Sequence, residues 1–527
     1  MVHCDAGLGD ALRANRRSYL CWGHRDAPMP NPVRRGARRG GWTHLTTSTA
    51  EGNTNVRCDF PHARVRRGSV MTIDMHNDAP LLEPIPLSSY GQSSLAPSPV
   101  NRMMTAFASD FREGIDINLG VGYVNEQTMP REALKDALEH VLADPNGHRN
   151  ALNYGGAQGS PNLIRSIRRY YVERGFGGVT AEMLDRYEVV IGPSGATSLL
   201  QGLAQLIEPG IVITSDPLYY IYCEYLERAG FEIVAIPEDE EGIRTDLLEH
   251  KLAALGARRG DVRFLYVATV GNPTSTILAE ERRERLVHIA HELSRDLGRR
   301  VPVVFDAAYE ALIHDPAVKA PRSGLVFDRQ GLVYEIGSLS KTLAPALRIG
   351  YLVGRKDRFL DALVQNVSDT GFSAPLITQE IASHLLDSDL WRQVDFVNRG
   401  YRERADAVGG WIREYLGEHL ESLTGGQAGF YFYLTFKKTR TTEDSAFFRF
   451  LSRTSGDRAV DGPPEGRLPR VSFIPGEHCV HPRGDLVEVG KRQLRISYAY
   501  ESLPNIRRGL ELMREAVLYD CGVQVSG

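Results

Sequence analysis

The chain has 527 residues, 42% hydrophobic content and a formal net charge of −4, which suits a large soluble protein with more than one domain. No run of about 18 apolar residues appears and the first residues carry arginines without a continuous apolar core, so neither a membrane span nor a secretory signal is expected, and the cytoplasm is the default. Six cysteines without a CxxC pair form neither a disulfide framework nor a zinc site.

Residues 1–70 differ from the rest: twelve Arg against five Asp+Glu give a net of +7, which leaves about −11 for the remainder. Arg34, Arg35, Arg38 and Arg39 sit among Gly and Pro with no periodic apolar pattern, which reads as a disordered extension. One short basic run is weak evidence for nucleic-acid binding, and none is expected. Residues 71–164 read as an N-terminal arm and part of a small domain, with 81–110 polar, Pro/Ser-rich and irregular. A short strand over 115–119 and helices over 130–143 and 161–174 follow.

Across 165–385 strands rich in Val and Ile alternate with helices. Strands are expected at 187–191, 211–214, 231–236, 262–267, 301–305 and 333–336, with helices at 197–207, 219–229, 245–255 and 280–297. That alternation predicts an α/β three-layer sandwich with a mostly parallel central sheet. Residues 386–527 change character, with a long amphipathic helix over 396–418, an aromatic strand over 429–436, short strands at 471–473 and 494–497 and a final helix over 506–519. This tail reads as a smaller α+β domain that the N-terminal part joins.

Four local patterns carry chemistry. In Ser338-Leu339-Ser340-Lys341, a lysine follows a buried strand in a Ser-rich turn, and Arg348 lies seven residues on. A partly desolvated lysine loses its proton readily and makes a Schiff base, while serines and a guanidinium hold a phosphate. In Val303-Val304-Phe305-Asp306-Ala307-Ala308-Tyr309, Asp306 ends a strand where open parallel sheets bind ligands, and a buried carboxylate there needs a cationic partner. Gly192-Pro193-Ser194-Gly195-Ala196-Thr197 exposes backbone N–H groups before a helix, a natural phosphate seat. Gly271-Asn272-Pro273-Thr274 follows another strand. Taken singly, each also reads as an ordinary loop, cap or turn.

Jointly and in this order, the four resemble the fold type I pyridoxal-phosphate enzymes, specifically the class I/II aminotransferases of the aminoadipate, kynurenine, aromatic and branched-chain subgroup. The resemblance spans roughly 110–515 and implies pyridoxal 5′-phosphate as cofactor. It implies Lys341 as the Schiff-base lysine that moves the substrate proton, Asp306 as the partner of the ring N–H⁺, and Asn272 and Tyr309 as ligands of the ring hydroxyl. Gly195, Ala196, Thr197, Ser338, Ser340 and Arg348 would hold the phosphate, Tyr219 would stack on the ring, and Tyr154 would reach a neighbouring subunit's phosphate. Arg495 would clamp the substrate carboxylate beside Gly122 and Asn272, with Tyr123 lining the pocket where the family commonly has Gly-x-Pro. The implied activity is ping-pong transfer of an amino group from an L-amino acid to a 2-oxo acid in a homodimer with shared active sites. Other fold type I chemistry (lyase, decarboxylase or oxidase) is the alternative. A non-catalytic cofactor-binding protein is more remote, because 1–70 is too short and irregular for the winged helix of a regulator. The region 470–483 holds Arg470, His478 and His481, and either histidine is a candidate to meet a polar substrate side chain. Two histidines without a third ligand give no metal site.

Overall fold

The computed structural model describes residues 84–522, apart from 174–175, 389 and 464–465. The basic segment 1–70 and the start of the arm lie outside the described residues.

The large sheet has eight strands, in spatial order Tyr187–Ile191, Gly350–Arg355, Val333–Ser338, Val303–Asp306, Val262–Ala268, Ile211–Asp216, Glu232–Asp239 and Gly242–Ile243. The inner pairings are parallel and those at the two ends antiparallel. Successive residues of each strand point to opposite faces. Ile213, Leu265, Val303, Val333 and Val353 enter one core, while Val212, Phe264, Val304, Tyr334 and Leu352 enter the other. A sheet covered on both faces requires such continuous apolar strands, and each fully buried side chain contributes roughly 1.5–3 kcal/mol. Helix Gly195–Leu206 buries Leu199, Leu200, Leu203 and Ala204 on its sheet-facing stripe.

A second, antiparallel sheet orders Leu420–Gly425, Tyr431–Phe436, Gln493–Ser497 and Ile474–Pro475. Helices Leu390–Leu416 and Leu503–Asp520 pack on each other, and their apolar faces share a third core with this sheet. Ile117–Asn118 pairs in parallel with Val471–Ser472, which ties the early chain to the late one.

Three expectations need correction. The 81–110 stretch is not irregular throughout: it holds helices Ser89–Ser93 and Pro99–Ser109, the latter begun by the Ser98 cap with Pro99 in its first turn and buried through Val100, Met103 and Phe107. The long helix starts at Leu390 rather than 396, because Leu390, Val394 and Val397 continue its apolar stripe. The strand Leu420–Gly425 escaped the reading because it is an edge strand with exposed Glu421 and Ser422.

A buried ion pair fixes the segment after Asp306. Arg283 reaches Glu310 through two contacts of 2.9 and 3.1 Å and donates to the Leu278 carbonyl at 3.0 Å. Arg283→Met should destabilise the protein by about 3–5 kcal/mol, since Glu310 would be left buried and unpaired. Urea unfolding measures this; a loss below about 1 kcal/mol would show that water or relaxation replaces the pair. Among the described residues, no helix is long and apolar enough to cross a membrane.

Candidate active site

The C-terminal ends of the parallel strands set the floor of a cavity. Asp306 ends its strand, and the neighbouring register pairs it with Ala268 on one side and Ile336 on the other. Asp306 is buried, with neutral partners at hydrogen-bond distance: the Tyr266 hydroxyl donates to Oδ2 at 2.8 Å and the Ala308 N–H to Oδ1 at 3.0 Å. Burial pushes its carboxyl upward, opposed by those two donors and by the charge of Lys341.

Lys341 follows strand Val333–Ser338 and lines the same cavity. Its Nζ lies 3.4 Å from the Gly122 carbonyl, which accepts from it, and 5.3 Å from the Tyr309 ring centre. Burial, then the guanidinium groups of Arg495 and Arg348, push its amine down to about 8, and Asp306 acts the other way. A lysine in the unfolded chain keeps its proton to about 10.5. Between these values the unfolded chain holds more protons, so this amine makes stability rise with pH through the window, and its full penalty applies below pH 8. Relative to Lys341→Met, the cofactor-free protein should recover about 3 kcal/mol between pH 8 and 10.5. A stability difference that stays flat with pH would refute the depressed amine.

Opposite stands the start of helix Gly195–Leu206. Gly195 has φ +66°, its N–H donates to the Arg348 carbonyl at 2.8 Å, and Arg348 returns bonds to Ser194 Oγ at 3.2 Å and Ser194 O at 2.9 Å. Gly350 permits this approach, because a Cβ there would lie 2.1 Å from the Ala196 nitrogen. Ala196, Thr197, Ser338, Ser340 and Arg348 line one end of the cavity. Tyr219, Asn272 and Tyr309 line it as well and continue into an adjoining chamber.

Arg495, on strand Gln493–Ser497, is the cation of that chamber. It is buried, donates to Asn272 Oδ1 at 2.8 Å and to Gly120 O at 2.6 Å, and lies over the Tyr431 ring at 4.3 Å. No carboxylate faces it at bonding distance among the described residues, and its buried Nε has no partner. Gly122 faces Tyr431, since a Cβ would meet the Tyr431 hydroxyl at 2.6 Å. Tyr123 stands at the chamber mouth, exposed, with its ring edge-on to Tyr500 at 5.6 Å.

Tyr154 is not brought to this site: it is 83% exposed and rests beside Phe372, outside both cavities. Arg470, His478 and His481 are also elsewhere. Arg470 is held by Asp116 at 2.8 Å and Asp110 at 2.6 Å, His478 by Glu443 at 3.0 Å and His481 by Glu227 at 3.3 Å. The reading missed Tyr266, which lies beside Asp306 through strand register and carries no motif of its own. Tyr431, expected only as part of the aromatic strand over 429–436, belongs to the site as well: its hydroxyl meets that of Tyr309 at 3.0 Å.

Comparison with known proteins finds relatives over most of the chain. An uncharacterized HTH-type transcriptional regulator of Bacillus subtilis, YisV, is 23% identical over 409 residues, 76% of this chain and 73% of that protein. An aromatic-amino-acid aminotransferase of Thermococcus litoralis is 25% identical over 414 residues, 76% of this chain and 88% of that enzyme. The crystal structure of a multiple substrate aminotransferase from Thermococcus profundus shares the fold, with TM-score 0.70 at 22% identity, covering 83% of this chain and 98% of that one. The family model for aminotransferase class I and II matches residues 115–511, about three quarters of the sequence, and the chain therefore belongs to that family.

Proposed function

We propose that this protein moves the amino group of an L-amino acid to a 2-oxo acid with pyridoxal 5′-phosphate, using Lys341, Asp306 and Arg495. The observation that carries the reading is the convergence of a depressed amine, a buried carboxylate with neutral partners and a buried guanidinium facing no carboxylate on two connected cavities.

The residues fit the cofactor. Asp306, buried without a cation at hydrogen-bond distance, suits a protonated ring nitrogen, which would offset its burial. The N-terminus of helix Gly195–Leu206, with Ser338, Ser340 and Arg348, suits the phosphate. Asn272 and Tyr309 suit the ring hydroxyl and Tyr219 the ring face. When bound, the cofactor supplies an electron sink for the electrons left at the substrate Cα.

The chain's own groups do the rest. Arg495 binds the substrate carboxylate through its fork, held in place by Asn272, Gly120 and Tyr431. Lys341 Nζ takes the proton from Cα in the half-reaction that consumes the amino acid and delivers one to Cα in the half-reaction that forms the new amino acid, and an amine poised near 8 suits both directions near neutral pH. Tyr219 and Tyr309 flank the site and exclude water. We further propose a homodimer, supported by the exposed Leu152, Tyr154 and Phe372, with Tyr154 serving the partner's phosphate. The regulator among the relatives raises a second reading, a cofactor-binding protein without turnover.

Turnover with panels of amino donors and oxo acids separates the two. Arg495→Ala should weaken both half-reactions by roughly 2–5 kcal/mol in kcat/KM, because donor and acceptor present the same carboxylate. Damage to one half-reaction only would reassign Arg495 to a side chain.

A further inference from the structure

One phenol of the small sheet joins the two halves of the site. Tyr431 begins strand Tyr431–Phe436, which pairs antiparallel with strand Gln493–Ser497 so that Tyr433 stands opposite Arg495. Tyr431 lies on the same face as Tyr433, so its ring comes diagonally beneath Arg495, whose guanidinium carbon is 4.3 Å from the ring centre. The Tyr431 N–H donates to Ser275 Oγ at 3.2 Å, and the residue is only 1% exposed. Its hydroxyl therefore has a fixed place, for which Gly122 leaves the room, and there it meets the Tyr309 hydroxyl at 3.0 Å.

Two hydroxyls in contact share one hydrogen bond, each has a single proton, and either can be the donor. Tyr309 lines the cofactor cavity, whereas Tyr431 lines the adjoining chamber beside Arg495. Burial, then Tyr431 itself, hold the Tyr309 phenol well above its ordinary range, so Tyr309 keeps its proton. On the reading above, that proton goes to the oxygen of the cofactor ring. The Tyr309 oxygen is then left as an acceptor, and the proton between the two hydroxyls is that of Tyr431. The guanidinium over the Tyr431 ring favours the same direction, because a cation on the ring face draws electrons from the ring and its O–H. A donor into Tyr309 polarises the Tyr309 O–H and strengthens the bond that this O–H makes in turn.

We infer that Tyr431 is a positioning residue for the proposed reaction: its hydroxyl donates to Tyr309 and so reserves the Tyr309 proton for the oxygen on the cofactor ring. The inference rests on the cofactor reading above. Its consequence is a change in how the lysine-bound cofactor titrates. The ring oxygen carries more negative charge once the Schiff-base nitrogen beside it has lost its proton. A stronger donor at that oxygen favours this form and lowers the pH at which the nitrogen titrates.

The test is a pH titration of the visible absorption of the full-length protein loaded with pyridoxal phosphate. Tyr431→Phe keeps the ring beneath Arg495 and removes only the hydroxyl. It should raise the midpoint by about 0.3 unit or more, the loss of one bond's cooperative support. Tyr309→Phe should raise it by about 1 unit or more, since a whole bond to a charged oxygen is lost. In the Tyr309→Phe background, Tyr431→Phe should add less than about 0.1 unit, because the relay is already cut. A midpoint unmoved or lowered by Tyr431→Phe, while Tyr309→Phe raises it, overturns the inference; a lowered midpoint would mean that Tyr309 donates to Tyr431 instead. Equal upward shifts in the two backgrounds overturn it as well, since Tyr431 would then act without Tyr309. A wild-type protein with no titrating band, or one whose midpoint ignores Tyr309→Phe, defeats the placement of Tyr309 against the cofactor, and the role of Tyr431 falls with it.

Discussion

Lys341→Ala should reduce kcat by at least about 10⁴-fold, the upper end of what a positioned acid–base group contributes. Among the described residues the side chain is the one amine lining the cavity, and its depressed proton affinity comes from burial and from Arg495 and Arg348. Replacing it removes both the group proposed to attach the cofactor and the group proposed to move the Cα proton. In the wild-type protein, borohydride should leave the cofactor covalently fixed to Lys341 Nζ, and peptide mapping should find the adduct there. Kinetics on the variant and the map on the wild type check separate halves of the assignment. Residual turnover within a hundredfold of wild type, or an adduct on another lysine, rejects it. The variant should fold, since it deletes a partly desolvated charge rather than core volume.

Asp306→Asn should retain the cofactor and lose at least about 10²-fold in kcat, the scale of one missing electrostatic partner in catalysis. The amide keeps the shape of the carboxylate: its oxygen can still accept from the Ala308 N–H, while its NH2 takes the other position and would donate to the Tyr266 hydroxyl oxygen. What disappears is the negative charge that would keep a ring nitrogen protonated. Steady-state kinetics on cofactor-saturated protein reads this directly, and a near-normal kcat would remove Asp306 from its role.

Much of this site is written in local sequence because its parts sit at strand ends. Asp306 closes a run of apolar residues, Lys341 follows another, and Asn272 and the Gly195 loop follow two more, so a reader of periodicity meets each motif where a parallel sheet exposes it. The helix Pro99–Ser109 was hidden by its neighbours: Pro97, Ser98 and Pro99 suggest an irregular lead-in, although Ser98 followed by Val100, Met103 and Phe107 is a cap and an apolar stripe. Tyr266 was illegible for another reason. Its bond to Asp306 spans 40 positions and depends on which strand lies beside which. The same holds for Arg470, whose partners Asp110 and Asp116 lie more than 350 positions away. Such pairs turn an apparently available cation into a structural one, and only the assembled chain reveals it.

The alternation of the central strands has a further consequence for how this protein can change by insertion and deletion. Tyr266 and Asp306 look into the same space because each lies an even number of steps from neighbours in the same core, Phe264 and Val304. One residue added or removed between Val303 and Asp306 would turn the carboxylate to the opposite face, away from Tyr266 and the cavity, while leaving the strand as apolar as before. The connections after helices, such as 256–261 or 298–302, have no such parity. The chain can therefore lengthen or shorten there while its chemistry stays intact, whereas in the central strands an indel must come in twos.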